Sequence, residues 1–240
     1  MNRRCRAGAG WLIAALAGLI HMPVYPASLF DGRNPREHWR GWAQETYPEA
    51  WVAHQQTLTL QGPVDDGRHR GGGYLLSRER FADFDLRFEF RTSPGANSGV
   101  MVRVDPGPGV EWPWQSGTEY QILDPAAPGE PGAYADRTAD LYGLVAANRA
   151  WHRGPGYWNQ GRIVACGRHL EHWLNGRRVL QVDLDSNDFR QRVAASKFAA
   201  FPGFGRSADG HIALQDHGKA VWFRRLTIRQ LDPHCRPVRP

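Results

Sequence analysis

Alternation of apolar and polar residues is the main pattern along this chain. In residues 84–91, four apolar and four charged side chains alternate without a break, which predicts a strand with one face toward a core. Shorter segments with this period recur between residues typical of turns, at 51–54, 57–60, 74–77, 100–104, 118–124, 159–166, 169–174, 178–182, 211–215 and 221–228. Only residues 185–198 fit a helix, and a short one. Many short strands between turns predict an all-β fold, a two-sheet antiparallel jelly-roll sandwich.

Two turns near the end of the chain predict hairpins. Asn175-Gly176 between alternating segments is the strongest short hairpin signal that a sequence offers. In residues 210–228, Asp216-His217-Gly218 separates two alternating segments, because glycine accepts a positive φ and aspartate bonds its own backbone. We therefore expect this second hairpin to carry Gln215, Asp216 and His217 at its tip. In the same way, the turn at 93–99 is expected to return the chain from the 84–91 strand to a strand at 100–104.

The periodicity fades between residues 125 and 155. This stretch contains Tyr142, Trp151 and His152 and has no clear strand or helix pattern. Loops of this length inside a compact domain are usually binding loops or lids. We therefore expect it to border a site.

The N-terminus has the features of an export signal. Arg3, Arg4 and Arg6 precede an apolar run at 11–20, which is too short to span a bilayer comfortably. We predict a signal peptide over residues 1–27, one domain over 28–234 and a tail over 235–240. The expected location is periplasmic or secreted, with no stable membrane insertion after cleavage; an uncleaved anchor is the alternative.

Cysteine usage changes this picture little. Removal of the leader takes Cys5 and leaves Cys166 and Cys235. One disulfide is conceivable in an exported protein, but two cysteines are not a framework. Because Cys166 lies in a strand pattern, we expect it to be a small buried hydrophobic residue. No cysteine spacing of the zinc-binding type is present.

Arginine and tryptophan dominate the unusual composition. The formal net charge is +6, and Lys197 and Lys219 are the two lysines among the 30 basic residues. The arginines are scattered through predicted strands, which argues against nucleic-acid binding. Ten tryptophans suit stacking on sugar rings. Those in predicted loops are candidate platforms, with core packing as the alternative: Trp112, Trp114, Trp151 and Trp158.

The segment Glu119-Tyr120-Gln121 carries the first candidate chemistry. Alternation places Glu119 and Gln121 on one strand face and Tyr120 on the other. If Tyr120 faces the core, Glu119 faces a groove, where a partly buried carboxylate can act as a general base. The alternative is a solvated carboxylate paired with an arginine. Farther along, His172 is either a core histidine or a groove residue, and the pattern does not decide between them.

Several kinds of site are absent from the sequence. There is no Gly-x-Ser-x-Gly nucleophile elbow and no phosphate-binding glycine loop, so no nucleotide cofactor is expected. Glu119 and Asp124 are five residues apart and lie on opposite faces of a strand. This spacing disfavours the paired carboxylates of ordinary glycoside hydrolysis.

A series of segments in a fixed order resembles one family. They are Leu29-Phe30-Asp31-Gly32, Phe84-Asp85-Leu86 with Asn97-Ser98-Gly99, Glu119 to Asp124, His172-Trp173-Leu174-Asn175-Gly176, Ser196-Lys197-Phe198, Gly203-Phe204-Gly205 and residues 210–228. Together they resemble the 3-keto-disaccharide hydrolase family, formerly a domain of unknown function, over roughly residues 28–231. The resemblance implies a concanavalin-like jelly roll with long loops over its concave face.

The resemblance also implies a substrate and a reaction. The substrate would be an oligosaccharide or glycoside whose glucosyl C3 has been oxidised by a separate sugar 3-dehydrogenase. A base would remove the C2 proton, the C1 substituent would leave, and water would add to the unsaturated sugar. We expect Glu119, His172 and Lys197 to be catalytic. The expected substrate-binding residues are Arg103, Gln121, Asn97, Tyr142, Trp151, Gln215 and His217.

The cofactor and the activity each have alternatives. A divalent metal is a candidate cofactor, with Asp124, His172 and His217 as its ligands. The family often has Gly-Glu-Trp-Asn where this chain has Tyr157 in place of the Glu. The lost carboxylate favours a changed substrate or a loss of activity. The alternative function is a non-catalytic carbohydrate-binding module on the same fold, which the tryptophan-rich loops would suit equally.

Overall fold

The computed structural model describes residues 27–65, 68–124, 137–148 and 151–238, which form two packed antiparallel sheets. The larger, sheet A, contains β1 (Ala27–Phe30), β3 (Trp51–His54), β4 (Thr57–Leu60), β8 (Phe84–Thr92), β11 (Asn159–Cys166), β12 (His169–Leu174), β13 (Arg177–Asp183) and β15 (Val221–Gln230). Sheet B contains β2 (Trp39–Gly41), β7 (Leu75–Ser77), β9 (Asn97–Val104), β10 (Thr118–Leu123) and β14 (His211–Leu214). A small ribbon joins β5 (Val64–Asp65) to β6 (Arg68–His69).

The order of the strands in each sheet shows which residues face the core. Sheet A runs β13-β12-β11-β8-β15-β4-β3, with β1 paired to β15, and sheet B runs β10-β9-β14-β7-β2. The strand β8 illustrates the packing: its apolar residues are buried in the core, and its charged residues point away from sheet B. The prediction of an all-β, two-sheet antiparallel jelly roll is confirmed.

The hairpin at Asn175-Gly176 forms as predicted. The strands β12 and β13 pair on either side of it, and both turn residues have a positive φ, +50° for Asn175 and +79° for Gly176. Asparagine and glycine tolerate this conformation best, which explains why they occupy the turn.

The predicted hairpin over residues 210–228 is wrong. The first strand, β14, pairs with β7 and β9 in sheet B, whereas the second, β15, pairs with β1, β4 and β8 in sheet A. The turn therefore carries the chain from one sheet to the other. The same correction applies to the turn at 93–99, because β8 and β9 lie in different sheets.

The predicted helix at 185–198 divides into two elements. An α-helix, α1 (Asn187–Ala194), begins after Ser186, whose hydroxyl accepts a hydrogen bond from the Phe189 amide at 3.1 Å. A 3₁₀ helix (Lys197–Ala200) begins after Ser196, whose hydroxyl accepts from the Phe198 amide at 3.2 Å. Each serine accepts a hydrogen bond from an amide that the start of a helix leaves unpaired. The second cap therefore begins a separate helical element.

The expectation of an unpaired, apolar Cys166 is also wrong. Cys166 is buried, but it forms a disulfide with Cys235, with a Cα–Cα distance of 5.6 Å. The bond attaches the start of the C-terminal tail to β11. Residues 1–26 lie outside the described residues, so the signal peptide stays a prediction. No helix in the described part of the chain has the length and apolarity to cross a bilayer.

Candidate functional site

The outer face of sheet B carries a second apolar cluster, separate from the core between the sheets. Its buried members are Tyr74, Leu76, Met101, Val104 and Ala213. Because neighbouring strand residues face the core, alternation turns these side chains outward. Trp42, Trp112 and Trp114 pack against the cluster from the side. We call this outer face, with its cluster as the floor, the groove.

A row of polar residues crosses the groove beside the apolar cluster. On β10, Gln121 lies opposite Gly99 of β9. The backbone N–H of Gln215 donates to the Gly99 carbonyl at 3.1 Å. Glu119 lies two residues before Gln121, on the same face of β10 and opposite Met101. Its carboxylate leans over Gly99, because a Cβ added at Gly99 would lie 2.1 Å from Glu119 Oε1. The missing side chain of Gly99 therefore makes the space that the buried Glu119 carboxylate occupies.

Two buried amide oxygens in this row have no hydrogen-bond donor in the described part of the chain. Gln121 Nε2 donates to Asn97 Oδ1 at 2.7 Å, and Gln215 Nε2 donates to the Tyr74 hydroxyl at 3.1 Å. The Oε1 atoms of both glutamines are buried and unpaired. A buried acceptor without a donor costs about 1–3 kcal/mol. A hydroxyl-bearing ligand could supply both donors.

Lys197 and Tyr142 form a polar pair near the same groove. Lys197 Nζ donates to the Tyr142 hydroxyl at 2.6 Å and lies 5.2 Å from the ring centroid of Trp114. The Tyr142 amide in turn donates to the Glu119 carbonyl at 3.1 Å. Trp114 also packs on the apolar cluster. These contacts bring the predicted Lys197 and Tyr142 to the edge of the groove, on the β10 side.

His172 lies in the core and not in the groove, which corrects its expected role. It is fully buried on β12, and its ring is 4.9 Å from that of Tyr120. Its Nδ1 donates to the Ala139 carbonyl at 3.0 Å, and Nε2 is buried with no hydrogen-bond partner among the described residues. Burial lowers its pKa from 6.5 to about 4, although hydrogen bonds to the backbone carbonyls of Ala139 and Asp140 oppose the shift. A neutral core histidine cannot reach a substrate above sheet B.

Arg103 is likewise turned away from the groove. His211 lies opposite Val104 and Ala213 opposite Met101, so β9 contains one extra residue. Such a bulge shifts the alternation, and Arg103 takes a φ of +53°. Its buried guanidinium donates to the carbonyls of Ala82 and Gly167 and to Asp83. This arginine ties loops together and is not available to bind substrate.

The proposed metal ligands do not meet. Asp124 is buried at the end of β10, where its Oδ2 accepts from the Gly95 amide at 2.6 Å. His172 lies in the core, and His217 is exposed after β14. Throughout the described ranges, no group of three or more His, Cys, Asp or Glu side chains lies close enough together to hold a metal ion.

Trp151 also differs from its expected role. Its ring packs partly against the core and is covered by the Arg177 guanidinium at 4.0 Å. Its carbonyl accepts from Asn175 Nδ2 at 2.7 Å. These contacts place it beside the β12–β13 turn of sheet A. Tyr157, where the family often has Glu, is 66% exposed.

Sequence reasoning missed a carboxylate–imidazole pair near Gln215. Asp216 is fully buried and accepts from the His69 amide, the Gly73 amide and the Gly218 amide, and His69 Nδ1 lies 3.0 Å from its Oδ1. Gly73 precedes Tyr74, whose hydroxyl binds Gln215. Asp216 therefore fastens the 69–73 loop to this end of the groove. The pairing joins residues 147 positions apart, which no local pattern reveals.

Known structures share this fold. Two crystal structures of proteins from Parabacteroides distasonis, provisionally described as glycosyl hydrolases, superpose with TM-scores of 0.75 and 0.64 at 24% and 26% identity. Each match covers 85% of this chain, and 93% and 98% of the respective protein. An endo-β-1,3(4)-glucanase of family GH16 has a TM-score of 0.51 at 10% identity. The likeness to the 24% identical structure and to the glucanase concerns the fold alone.

A curated protein is similar over most of its length. The 3-keto-disaccharide hydrolase of Bacteroides thetaiotaomicron is 28% identical over 229 residues, which cover 85% of this chain and 78% of the relative. The family model described as the 3-keto-alpha-glucoside-1,2-lyase-like domain matches residues 26–229. This match spans most of the chain, and the protein therefore belongs to the 3-keto-alpha-glucoside-1,2-lyase-like domain family.

Proposed function

We propose that this protein cleaves 3-keto-glycosides or 3-keto-disaccharides. The observation that carries the proposal is the buried Glu119 carboxylate above Gly99, in a groove lined by aromatic rings and amide side chains. The family and the name of the Bacteroides thetaiotaomicron relative indicate the substrate class. A buried carboxylate is suited to accept a proton from carbon once a neighbouring ketone has acidified it.

The proposed reaction begins at C2 of the oxidised sugar. Glu119 takes the C2 proton, and the electron pair forms an enolate with the C3 carbonyl. Collapse of the enolate restores the C3 ketone, forms a C1–C2 double bond and expels the C1 oxygen substituent, which leaves as the alcohol after taking up the proton held by Glu119. Water then adds its oxygen to C1 and returns a proton to C2, so the net reaction is hydrolysis. With His172 in the core, Glu119 is the candidate base.

The other groove residues have assigned roles in this scheme. The Lys197–Tyr142 pair would donate to the enolate oxygen, where a cation or hydrogen-bond donor lowers the barrier most. Gln121 and Gln215 would accept hydrogen bonds from sugar hydroxyls through their unpaired Oε1 atoms. Asn97 orients Gln121, and the exposed His217 lies on the rim beside Gln215. The partly exposed Trp112 and Trp114 would pack on the sugar rings.

The proposal includes a supplying reaction and a compartment. A separate sugar 3-dehydrogenase must provide the ketone, because unoxidised glycosides have no acidic C2 hydrogen. We propose export through the N-terminal signal to the periplasm or the medium. The Cys166–Cys235 disulfide supports an oxidising compartment.

The direct test uses 3-keto-trehalose and unoxidised trehalose with the mature protein. We expect release of sugar from the keto form only, and incorporation of solvent deuterium at C2 when the reaction is run in D₂O. Glu119→Gln should abolish both signals while the melting temperature stays within a few degrees. Binding of sugars without turnover, by an intact protein, would overturn the proposal in favour of a carbohydrate-binding module.

A further inference from the structure

The outer face of sheet A concentrates the positive charge of the protein. Its outward strand residues include seven arginines and four carboxylates: Arg87, Arg91, Arg162, Arg178, Arg224, Arg225 and Arg229, against Asp85, Glu89, Glu171 and Asp183. The excess is three charges. Residues 28–240 contain 27 of the 30 basic residues and all 24 acidic ones, an excess that is also three. The outward strand residues of this face therefore carry a net charge as large as that of the whole chain after the predicted leader.

The register aligns part of this charge in one row. Arg178 lies opposite Trp173, Trp173 opposite Arg162, Arg162 opposite Arg87, and Arg87 opposite Thr227. Neighbouring strands are about 4.8 Å apart, so the row extends for about 19 Å across five strands. The Arg162 guanidinium lies 4.9 Å from the Trp173 ring centroid. One aromatic ring thus lies between Arg178 and Arg162, and a third cation, Arg87, follows at the same spacing.

Buried carboxylates hold these arginines in place. Asp85 binds both Arg87 and Arg162, and Glu89 binds both Arg224 and Arg225, at 2.7–3.0 Å. The carboxylates are only 7% and 12% exposed, whereas Arg87 and Arg225 are 60% and 73% exposed. Each carboxylate therefore neutralises one of its two arginines and leaves one positive charge directed to solvent. Guanidinium groups fixed in this way are pre-organised to bind carboxylate or sulfate.

Two hollows lie on this face. The larger has a volume of about 640 Å³ and is lined by Trp173, Arg87, Arg162, Arg225 and polar residues that include Gln160 and Thr227; Asp31 and Glu89 also border it. The smaller, about 260 Å³, lies between Trp158, Trp222, Arg91 and Arg224. The larger volume is in the range of small-ligand sites.

We propose that the outer face of sheet A binds an acidic polysaccharide, with the exposed arginines on its carboxylates or sulfates and Trp173 against a sugar ring. This site is independent of the proposed function, because it faces away from the groove on sheet B. Carboxylates interleaved among the arginines can accept hydrogen bonds from sugar hydroxyls, which a polysaccharide carries on its rings and a polyphosphate lacks. A membrane surface is disfavoured because, of the described large apolar side chains, only those of Val64 and Tyr157 are exposed.

The test measures binding of the mature protein to polygalacturonate by calorimetry, with dextran as the uncharged probe. We expect polygalacturonate to bind in a salt-dependent manner and dextran to bind at least tenfold more weakly. Arg87→Gln combined with Arg225→Gln should weaken polygalacturonate binding at least tenfold. Each substitution leaves its carboxylate with a second arginine, so the fold should persist.

A matched control removes the same charge elsewhere. Arg70 is 71% exposed and pairs with Asp65 in the β5–β6 ribbon, and Arg78 is 40% exposed and pairs with Glu45 at the end of β7 in sheet B. The Arg70→Gln, Arg78→Gln double variant should bind nearly as well as the native protein, as should Glu119→Gln. The proposal is overturned if polygalacturonate does not bind, if the control loses as much affinity as the test variant, or if single-stranded DNA or anionic phospholipid vesicles bind more tightly.

Discussion

Replacement of Gly99 by alanine tests whether the position of Glu119 matters for catalysis. The new Cβ would lie 2.1 Å from Oε1, 2.7 Å from Cδ and 2.9 Å from Cγ of Glu119, whereas ordinary contacts are 3.4–4 Å. The carboxylate must therefore move by at least about 1 Å. Misplacement of a reacting group by about 1 Å can reduce a rate by about 100-fold.

The fold should tolerate this change. The atoms displaced belong to the end of one side chain, and alanine is favoured over glycine in a strand interior by roughly 0.5–1 kcal/mol. We expect kcat on 3-keto-trehalose to fall about 100-fold and the melting temperature to change by only a few degrees. Because Gln121 and Gln215 keep their places, KM should change much less than kcat.

Gly107→Ala is the matched control. Nothing lies within 4 Å of a Cβ at Gly107, and its φ is not in the positive range, so turnover should be unaffected. The reasoning is refuted if folded Gly99→Ala turns over at the native rate. It is also refuted if Glu119→Gln, which keeps the shape of the side chain but removes its charge, remains fully active.

Three further predictions concern Lys197, His172 and the disulfide. Lys197→Met should lower kcat at least tenfold with little loss of stability, whereas Lys219→Met at an exposed position should not; equal rates would remove Lys197 from the mechanism. His172→Asn should retain turnover. Because burial lowers the pKa of His172 to about 4, the unfolded chain binds the proton first as the pH falls below 6.5. The native protein should then lose about 3 kcal/mol of unfolding free energy between pH 6.5 and 4, and urea titrations should show a smaller loss in His172→Asn. Opening the 69-residue Cys166–Cys235 loop should cost up to about 4 kcal/mol, so a reductant should lower the melting temperature of the native protein but not of Cys235→Ser.

The alternation of side chains predicted the central part of the groove. A period of two residues placed Glu119 and Gln121 on one face of β10 and Tyr120 on the other, and Tyr120 lies in the core as expected. That inference succeeds because burial of one face fixes the direction of every side chain in a regular strand. The period could not assign His172, because a buried histidine and a groove histidine occupy the same positions in the alternation.

The wrong predictions depend on two features that a short stretch of sequence does not show: which strands pair, and where an extra residue interrupts a strand. A turn after β14 is compatible both with a hairpin and with a crossing between sheets, and only the partners of β14 and β15 distinguish them. The bulge in β9 reverses the direction of Arg103, because one extra residue shifts the alternation by one position. A sequence shows neither the partner strand nor the extra residue.

The arginines also show what a local sequence pattern cannot reveal, because residues far apart in the chain become neighbours on the sheet. Arg87, Arg162 and Arg178 are separated by 75 and 16 residues in the chain, yet pairing of β8, β11, β12 and β13 places them in one row with Trp173 between the last two. Scatter along the sequence is therefore not evidence that charge is scattered on the surface. In an antiparallel sheet, every second residue faces the same side, and the register decides which of them become neighbours. Scattered arginines in the sequence therefore give no support to the prediction against nucleic-acid binding, which stays a prediction. Asp85 and Glu89 lie among these arginines and each binds two of them, so the face presents acceptors for sugar hydroxyls beside its cations.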